Sequence, residues 1–283
     1  MIQFFTIREI TGYLKEKQLQ NRSIGFVPTM GALHEGHLTL IRQSKGENDL
    51  TVCSIFVNPV QFNNKEDLEK YPRDLARDYK MLEETGCDIL FSPENKEMYP
   101  DNQPEPLDVE FGLLDKVMEG KFRPGHFKGV AIVVKKLFGI IHPTRAYFGK
   151  KDFQQLAVIR HLVHSLEIPV IIVPCETIRE PDGLAMSSRN MRLTVTERQI
   201  APIIHHVLCK VKDKAGILPV PEVKSWAIKQ IEENGQMHVE YFEICDKEYL
   251  LPIENWDRKE NAVAFTAVFL GTVRLIDNIE LFS

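Results

Sequence analysis

"FVPTMGALHEGHLTL", residues 26–40, sets a short apolar run against two glycines and two histidines. The run ends at Pro28, a glycine turn follows, and His34 and His37 flank Gly36. The spacing predicts a buried strand that gives way to a helix over residues 36–45 through a tight turn. In parallel α/β sheets such junctions carry the ligand sites.

The same alternation continues outward. "LTVCSIFVNP" (50–59), "CDILFSP" (87–93), "RAYFG" (145–149) and "PVIIVP" (169–174) read as further buried strands: short, β-branched and mostly ended by Pro. Helices are expected over 66–86, with Gly86 as C-cap, over 129–141, and over 152–168 with Asp152 as N-cap. Alternating strands and helices predict a doubly wound parallel sheet. After about Ile178 the texture changes. Residues 194–216 and 221–235 read as two helices, the first capped by Thr194 or Thr196, and the strand-like runs 237–246 and 262–277 follow. This order is α+β, so we divide the chain into residues 1–177 and a smaller domain, 178–283. The polar junction 175–190 carries the turn Pro181–Asp182–Gly183, and a site or hinge is expected there.

The chain has 283 residues, 43% hydrophobic and 27% charged, with a net charge of −5. No overall field favours nucleic acid or an anionic membrane. No apolar run is long enough to span a bilayer, and the N-terminus does not read as a signal peptide. Cys53, Cys87, Cys175, Cys209 and Cys245 are odd in number, far apart and never in C-x-x-C. They read as reduced thiols in a cytoplasm, used as core filler.

Gly31-x-x-x-x-Gly36 nearly matches a P-loop, but His37-Leu38 stands where Lys and Ser or Thr are required. No G-x-G-x-x-G follows a strand. Two histidines three apart, with no third ligand nearby, do not make a zinc pair. What remains is phosphate handling: Gly36 allows close approach, the helix start offers N–H groups, and two imidazoles donate. Nucleotidyl transferases of the His-x-Gly-His kind use this arrangement to steady charge on phosphates. Gly149, Lys151 and Asp152 form a second ligand-facing turn, and "GLAMSSRN" (183–190) resembles the Lys-Met-Ser-Lys-Ser loop that partners His-x-Gly-His. The basic segment 119–129 reads as a solvated loop or as an anion site using Arg123, His126 and Lys128. His161 and His164 read as solvent or core histidines.

"VPTMGALHEGH", "SIFVNPVQFN", "YPRD", "FRPGHFKGV", "FGKKDFQQL" and "DGLAMSSRN" occur in this order. Together they resemble the pantothenate synthetase family, the pantoate–β-alanine ligases of the His-x-Gly-His superfamily. The resemblance runs from about Ile24 to Asn190 and continues weakly to residues 274–278. It implies a Rossmann-like N-terminal domain, a smaller C-terminal α+β lid domain and a homodimer. It also implies an activity: (R)-pantoate and β-alanine are joined while ATP, with Mg²⁺, becomes AMP and diphosphate. Met30, Gly31, Ala32, Leu33, His34, Glu35, Gly36 and His37 would line the ATP site, with His37 the catalytic acid. Gly149, Lys150, Lys151, Asp152, Ile178, Met186, Ser187, Ser188 and Arg189 would complete it. Gln61 would bind pantoate and β-alanine, and Gln155 pantoate. The Mg²⁺ ligands stay unassigned, with Asp78 a candidate contact. Lys150 departs from the family, where an acidic residue is frequent. The alternative is another nucleotidyl transferase of the same superfamily.

Overall fold

The computed structural model describes residues 1–63, 65–101, 103–257 and 259–282. The chain opens with β1 (Ile2–Phe4), α1 (Ile7–Leu19), β2 (Ile24–Thr29), α2 (Glu35–Glu47), β3 (Leu50–Ile55), α3 (Lys65–Glu69), α4 (Leu75–Thr85), β4 (Ile89–Phe91) and α5 (Asn95–Met98). It continues through α6 (Met118–Phe122), α7 (His126–Ile141), β5 (Arg145–Gly149), α8 (Phe153–Ser165) and β6 (Ile171–Cys175). The six strands form one parallel sheet in the order β1-β4-β3-β2-β5-β6. The chain leaves β2 for β3 on one side and returns to β5 on the other. The crevice at the carboxyl ends of β2 and β5 is therefore the topological switch point, where doubly wound sheets bind ligands.

Burial on both faces explains why these strands are mostly apolar, with Thr51 and Ser54 of β3 buried among them. Phe26, Val52, Ile89, Phe91, Ala146 and Phe148 pack on one face of the sheet with Ile10 of α1, Val134 of α7 and Ile159 of α8. Their neighbours Val27, Cys53, Leu90 and Tyr147 pack on the other with Ile41 of α2 and Leu82 of α4. With both faces covered, no strand position is left for a polar alternation.

The rest is α9 (Val195–Ile200), α10 (Ile203–Lys214), α11 (Val220–Glu232), β7 (Met237–Asp246), β8 (Ala262–Leu270) and β9 (Val273–Glu280). The three strands form a separate antiparallel sheet, β7-β8-β9. Ile204, Leu208, Val211, Val223, Ala227 and Ile231 cover it from the helices. Phe265 and Cys245, on its other face, join the core of the large sheet, where Phe265 meets Phe153 edge-on at 5.5 Å. No helix among the described residues is long and apolar enough to cross a membrane.

Four local readings differ from the structure. The stretch 66–86 is two helices, α3 and α4, because Pro72 interrupts the backbone ladder. Residues 194–216 likewise split into α9 and α10 at Pro202, with Thr194 capping α9 in a reciprocal pair with Glu197. The run 262–277 is a hairpin that turns at Gly271, where φ is 58°. Asp152 occupies the N-cap position of α8, but its side chain makes no capping bond. The reading also passed over β1 and α1, although Thr6 caps α1 by accepting the Glu9 amide at 3.3 Å.

Candidate active site

The turn after β2 is held by side chains. Gly31 and Ala32 both stand in the left-handed region, with φ of 77° and 50°. The Gly31 amide donates to Thr29 Oγ1 at 3.2 Å. The Ala32 and Leu33 amides donate to the two carboxylate oxygens of Asp78, each at 2.8 Å. The His34 amide donates to His37 Nδ1 at 3.4 Å. Four successive N–H groups are thus satisfied before α2 begins. The imidazoles of His34 and His37 lie 4.1 Å apart. Gly36 makes this possible, since a Cβ there would sit 2.9 Å from His34 Cε1 and Nδ1.

An Nδ1 that accepts places the His37 proton on Nε2. Burial lowers the His37 pKa to about 3, helped by His34 and Lys151. Burial and then Lys151 lower that of His34 to about 4. Near neutrality both rings are neutral, and they act as donors rather than cations.

The turn after β5 supplies the facing groups. Lys151 lies 3.5 Å from Asp152. Burial pushes the Asp152 carboxyl up, but Lys151, Arg189 and Arg123 outweigh it and hold the group below its usual range. The adjacent glutamines divide the work. Gln154 is buried and braces the loop before α6, donating to the Leu114 and Val117 carbonyls at 2.8 Å each and accepting the Glu119 amide at 3.0 Å. Gln155 faces the cavity.

Across the cavity, Gln61 is held in a short turn after β3. Asn58 donates to Gln61 Oε1 at 3.2 Å and to the Gly129 carbonyl at 3.1 Å, and accepts from Tyr99 at 2.9 Å. A Cβ on Gly129 would lie 2.6 Å from the Val60 carbonyl, so only glycine lets α7 pack so close. His126 Nδ1 donates to the Gln61 carbonyl at 2.8 Å, which leaves Nε2 as an acceptor. Burial and then Arg123 lower the His126 pKa to about 4.

These groups converge on a cavity of about 220 Å³ at the switch point. Of the expected site residues, Met30, His34, Gly36, His37, Gln61, Gly149, Lys151, Asp152, Gln155, Ile178, Met186, Ser187, Ser188 and Arg189 line it. Gly31, Ala32, Leu33, Glu35 and Lys150 are not among its lining residues. Ala32 and Leu33 are buried in the turn, Glu35 pairs with Arg42, and Lys150 pairs with Glu176 at 2.6 Å and Glu280 at 2.9 Å. Asp78 does not line the cavity either. Of the basic segment, Arg123 and His126 line the cavity, while Lys128 is exposed.

The cavity shares Lys151, Asp152, Gln155, Ser187 and Arg189 with a cleft of about 520 Å³ between the two sheets. The small sheet forms the far wall. Asn278 of β9 donates to the Lys150 and Lys151 carbonyls at 3.0 and 2.8 Å, which holds the second turn. Arg179 grips Asp277 with both nitrogens, at 2.7 and 2.9 Å. Among the described residues, no group of three or more His, Cys, Asp or Glu side chains is placed to hold a metal ion.

A family model for pantoate-beta-alanine ligase matches residues 3–280. The chain belongs to this family. A pantothenate synthetase of Porphyromonas gingivalis is 47% identical, with 98% of each chain covered. One from Bacteroides thetaiotaomicron is 46% identical, with 97% of each covered. The crystal structure of pantothenate synthetase from Thermus thermophilus superposes with a TM-score of 0.93 at 42% identity, covering all of both chains. A pantoate-beta-alanine ligase from Francisella tularensis, complexed with beta-gamma ATP and beta-alanine, gives a TM-score of 0.82 at 36% identity, with 99% of this chain and 98% of that one covered.

In this pantoate–β-alanine ligase, several residues that shape the site escaped the sequence reading. Asn58, Tyr99 and Gly129 position Gln61 from three separate elements, and only "NP" at 58–59 and the glycine at 129 hinted at tight turns. Phe62 and Tyr71 line the cavity and meet edge-on at 5.7 Å. Nothing in their spacing marked them.

Proposed function

We propose that the cavity catalyses the ATP-dependent condensation of (R)-pantoate with β-alanine through pantoyl adenylate. The carrying observation is that one ligand-sized cavity joins the His34–His37 pair and Lys151 to Gln61 and Gln155. The first set suits phosphates, the second a hydroxy acid, because an amide both donates and accepts. A pantoate carboxylate oxygen attacks the α-phosphorus, and diphosphate leaves with the electron pair. The β-alanine amine, as free base, then attacks the acyl carbon, and AMP leaves with the carboxylate oxygen.

His37 Nε2–H, His34 and Lys151 stabilise the charge that grows on the phosphates. His37 starts neutral. To protonate the departing diphosphate the ring must first take a second proton at Nδ1, which displaces the His34 amide, and phosphate charge beside the ring favours that proton. Met30, Gly149, Asp152, Ile178 and Met186 to Arg189 hold the nucleotide. Gly31, Ala32, Leu33 and Glu35 support it as the frame of the turn, and Lys150 by anchoring the second turn to Glu280. Gln155 binds pantoate, and Gln61 binds pantoate and β-alanine. Mg²⁺ fits as a partner of the triphosphate rather than of a protein cage, since no carboxylate cluster is built for it among the described residues and it retains water and phosphate oxygens readily. When bound, it neutralises phosphate charge.

Residues 178–283 act as a lid over residues 1–177, keeping water from the adenylate. The enzyme works as a homodimer in the cytoplasm, and its five free thiols fit a reducing compartment. The test is exchange of labelled diphosphate into ATP. It should require pantoate and proceed without β-alanine, whereas AMP release should require both. Exchange without pantoate would point instead to another nucleotidyl transferase.

A further inference from the structure

The turn before α2 depends on one residue outside the cavity. Asp78 is wholly buried in the first turn of α4, where the helix dipole favours a negative charge. Its Oδ2 and Oδ1 take the amides of Ala32 and Leu33 at 2.8 Å each. Ala32 is a non-glycine residue at φ 50°, a conformation that persists only where the surroundings enforce it. The fit is close: a Cβ on Gly31 would stand 2.9 Å from Asp78 Oδ2. The next amide, of His34, holds His37 Nδ1. The contacts thus run from Asp78 through Leu33 and His34 to His37.

We infer that Asp78 is a positioning residue for adenylate formation: it locks the 31–33 turn and so sets the His34–His37 pair against the nucleotide. This rests on the adenylation reading above. It also gives Asp78 a role other than metal contact, because each carboxylate oxygen is already turned to a backbone amide.

Asp78→Asn tests it. The amide keeps the size but offers one acceptor oxygen, and turns an N–H toward an N–H. Pantoate-dependent diphosphate exchange per folded molecule should fall about tenfold or more, with the pantoate KM nearly unchanged. In a His37→Ala background the same substitution should cost little, since a group acting through His37 has nothing left to position. The Ala32 and Leu33 amides should exchange with deuterium about tenfold faster. Asp78→Glu, which keeps the charge on a longer arm, should shift each readout the same way and serves if the asparagine variant does not fold. Ile10→Ala, in the core beneath α1, supplies a destabilised control that should keep its rate per folded molecule.

An unchanged rate in both Asp78 variants would overturn the inference, as would a full independent loss in the His37→Ala background. If the wild-type enzyme shows no pantoate-dependent exchange, the adenylation reading fails. The deuterium measurement still judges the turn, and unchanged exchange at Ala32 and Leu33 would overturn the inference by itself.

Discussion

Arg274 of β9 holds Glu119 of α6 with both terminal nitrogens, at 2.8 and 2.6 Å, across the gap between the two sheets. Its Nε also reaches Glu240 at 3.0 Å, and the Tyr241 hydroxyl donates to Glu119 at 2.9 Å. Burial pushes the Glu119 carboxyl up, but Arg274 overrides it and holds the group below the usual carboxylate range. Removing Arg274 takes the bidentate partner from Glu119, which keeps only Tyr241 and, at 3.6 Å, Arg123, and takes the cation from Glu240, so Arg274→Ala should cost about 3 kcal/mol in denaturant unfolding. Adding Glu119→Gln should recover part of that. A single-variant loss below about 1 kcal/mol would show that the pair is solvated rather than structural.

His37 presents its Nε2 proton because Nδ1 is occupied by the His34 amide. His37→Ala should slow adenylate formation about a hundredfold, the size of one lost transition-state donor, while the melting temperature stays close to that of the parent. Single-turnover diphosphate release measures it. A near-normal rate in the folded variant would remove His37 from the chemistry.

The two adjacent glutamines should separate cleanly. Gln155→Ala should raise the pantoate KM and leave ATP binding almost intact. Gln154→Ala strands the Leu114 carbonyl and the Glu119 amide, while the Val117 carbonyl keeps the Gly120 amide at 2.8 Å, and should destabilise by about 2 kcal/mol or more, with a smaller effect on pantoate. The reverse pattern would exchange their roles.

Much of this was legible in the sequence for a physical reason. Strands buried on both faces are short and mostly apolar, so Phe26–Val27 and Ala146–Tyr147–Phe148 announce themselves. Glycines packed against a ring or backbone, such as Gly36, mark close approach. The missing parts depend on pairs that spacing does not reveal. Asp78 meets Ala32 across 46 positions, and Glu119 meets Arg274 across 155. β1 is three residues long, too short for any periodicity to register. Pro72 and Pro202 were visible breakers inside stretches whose apolar spacing outweighed them in the reading.

The pKa of His126, lowered from 6.5 to about 4 by burial, bears on stability. Above pH 6.5 the ring is neutral folded or unfolded and contributes no slope. As pH falls from 6.5 towards 4 the unfolded chain takes a proton that the folded one refuses, so stability falls by about 3 kcal/mol from this group. An asparagine side chain keeps a donor near the Nδ1 position without the titration. His126→Asn should therefore flatten the decline in melting temperature between pH 6.5 and 4. An equally steep decline in the variant would mean that the ring is protonated in the folded protein.

The central claim is that a pantoate oxygen bonds to the α-phosphorus and leaves with AMP. Pantoate labelled with ¹⁸O in its carboxylate, turned over with ATP and β-alanine, tests this by mass spectrometry of the products. The expected result is one labelled oxygen in each AMP and none in diphosphate. AMP free of label would contradict the account.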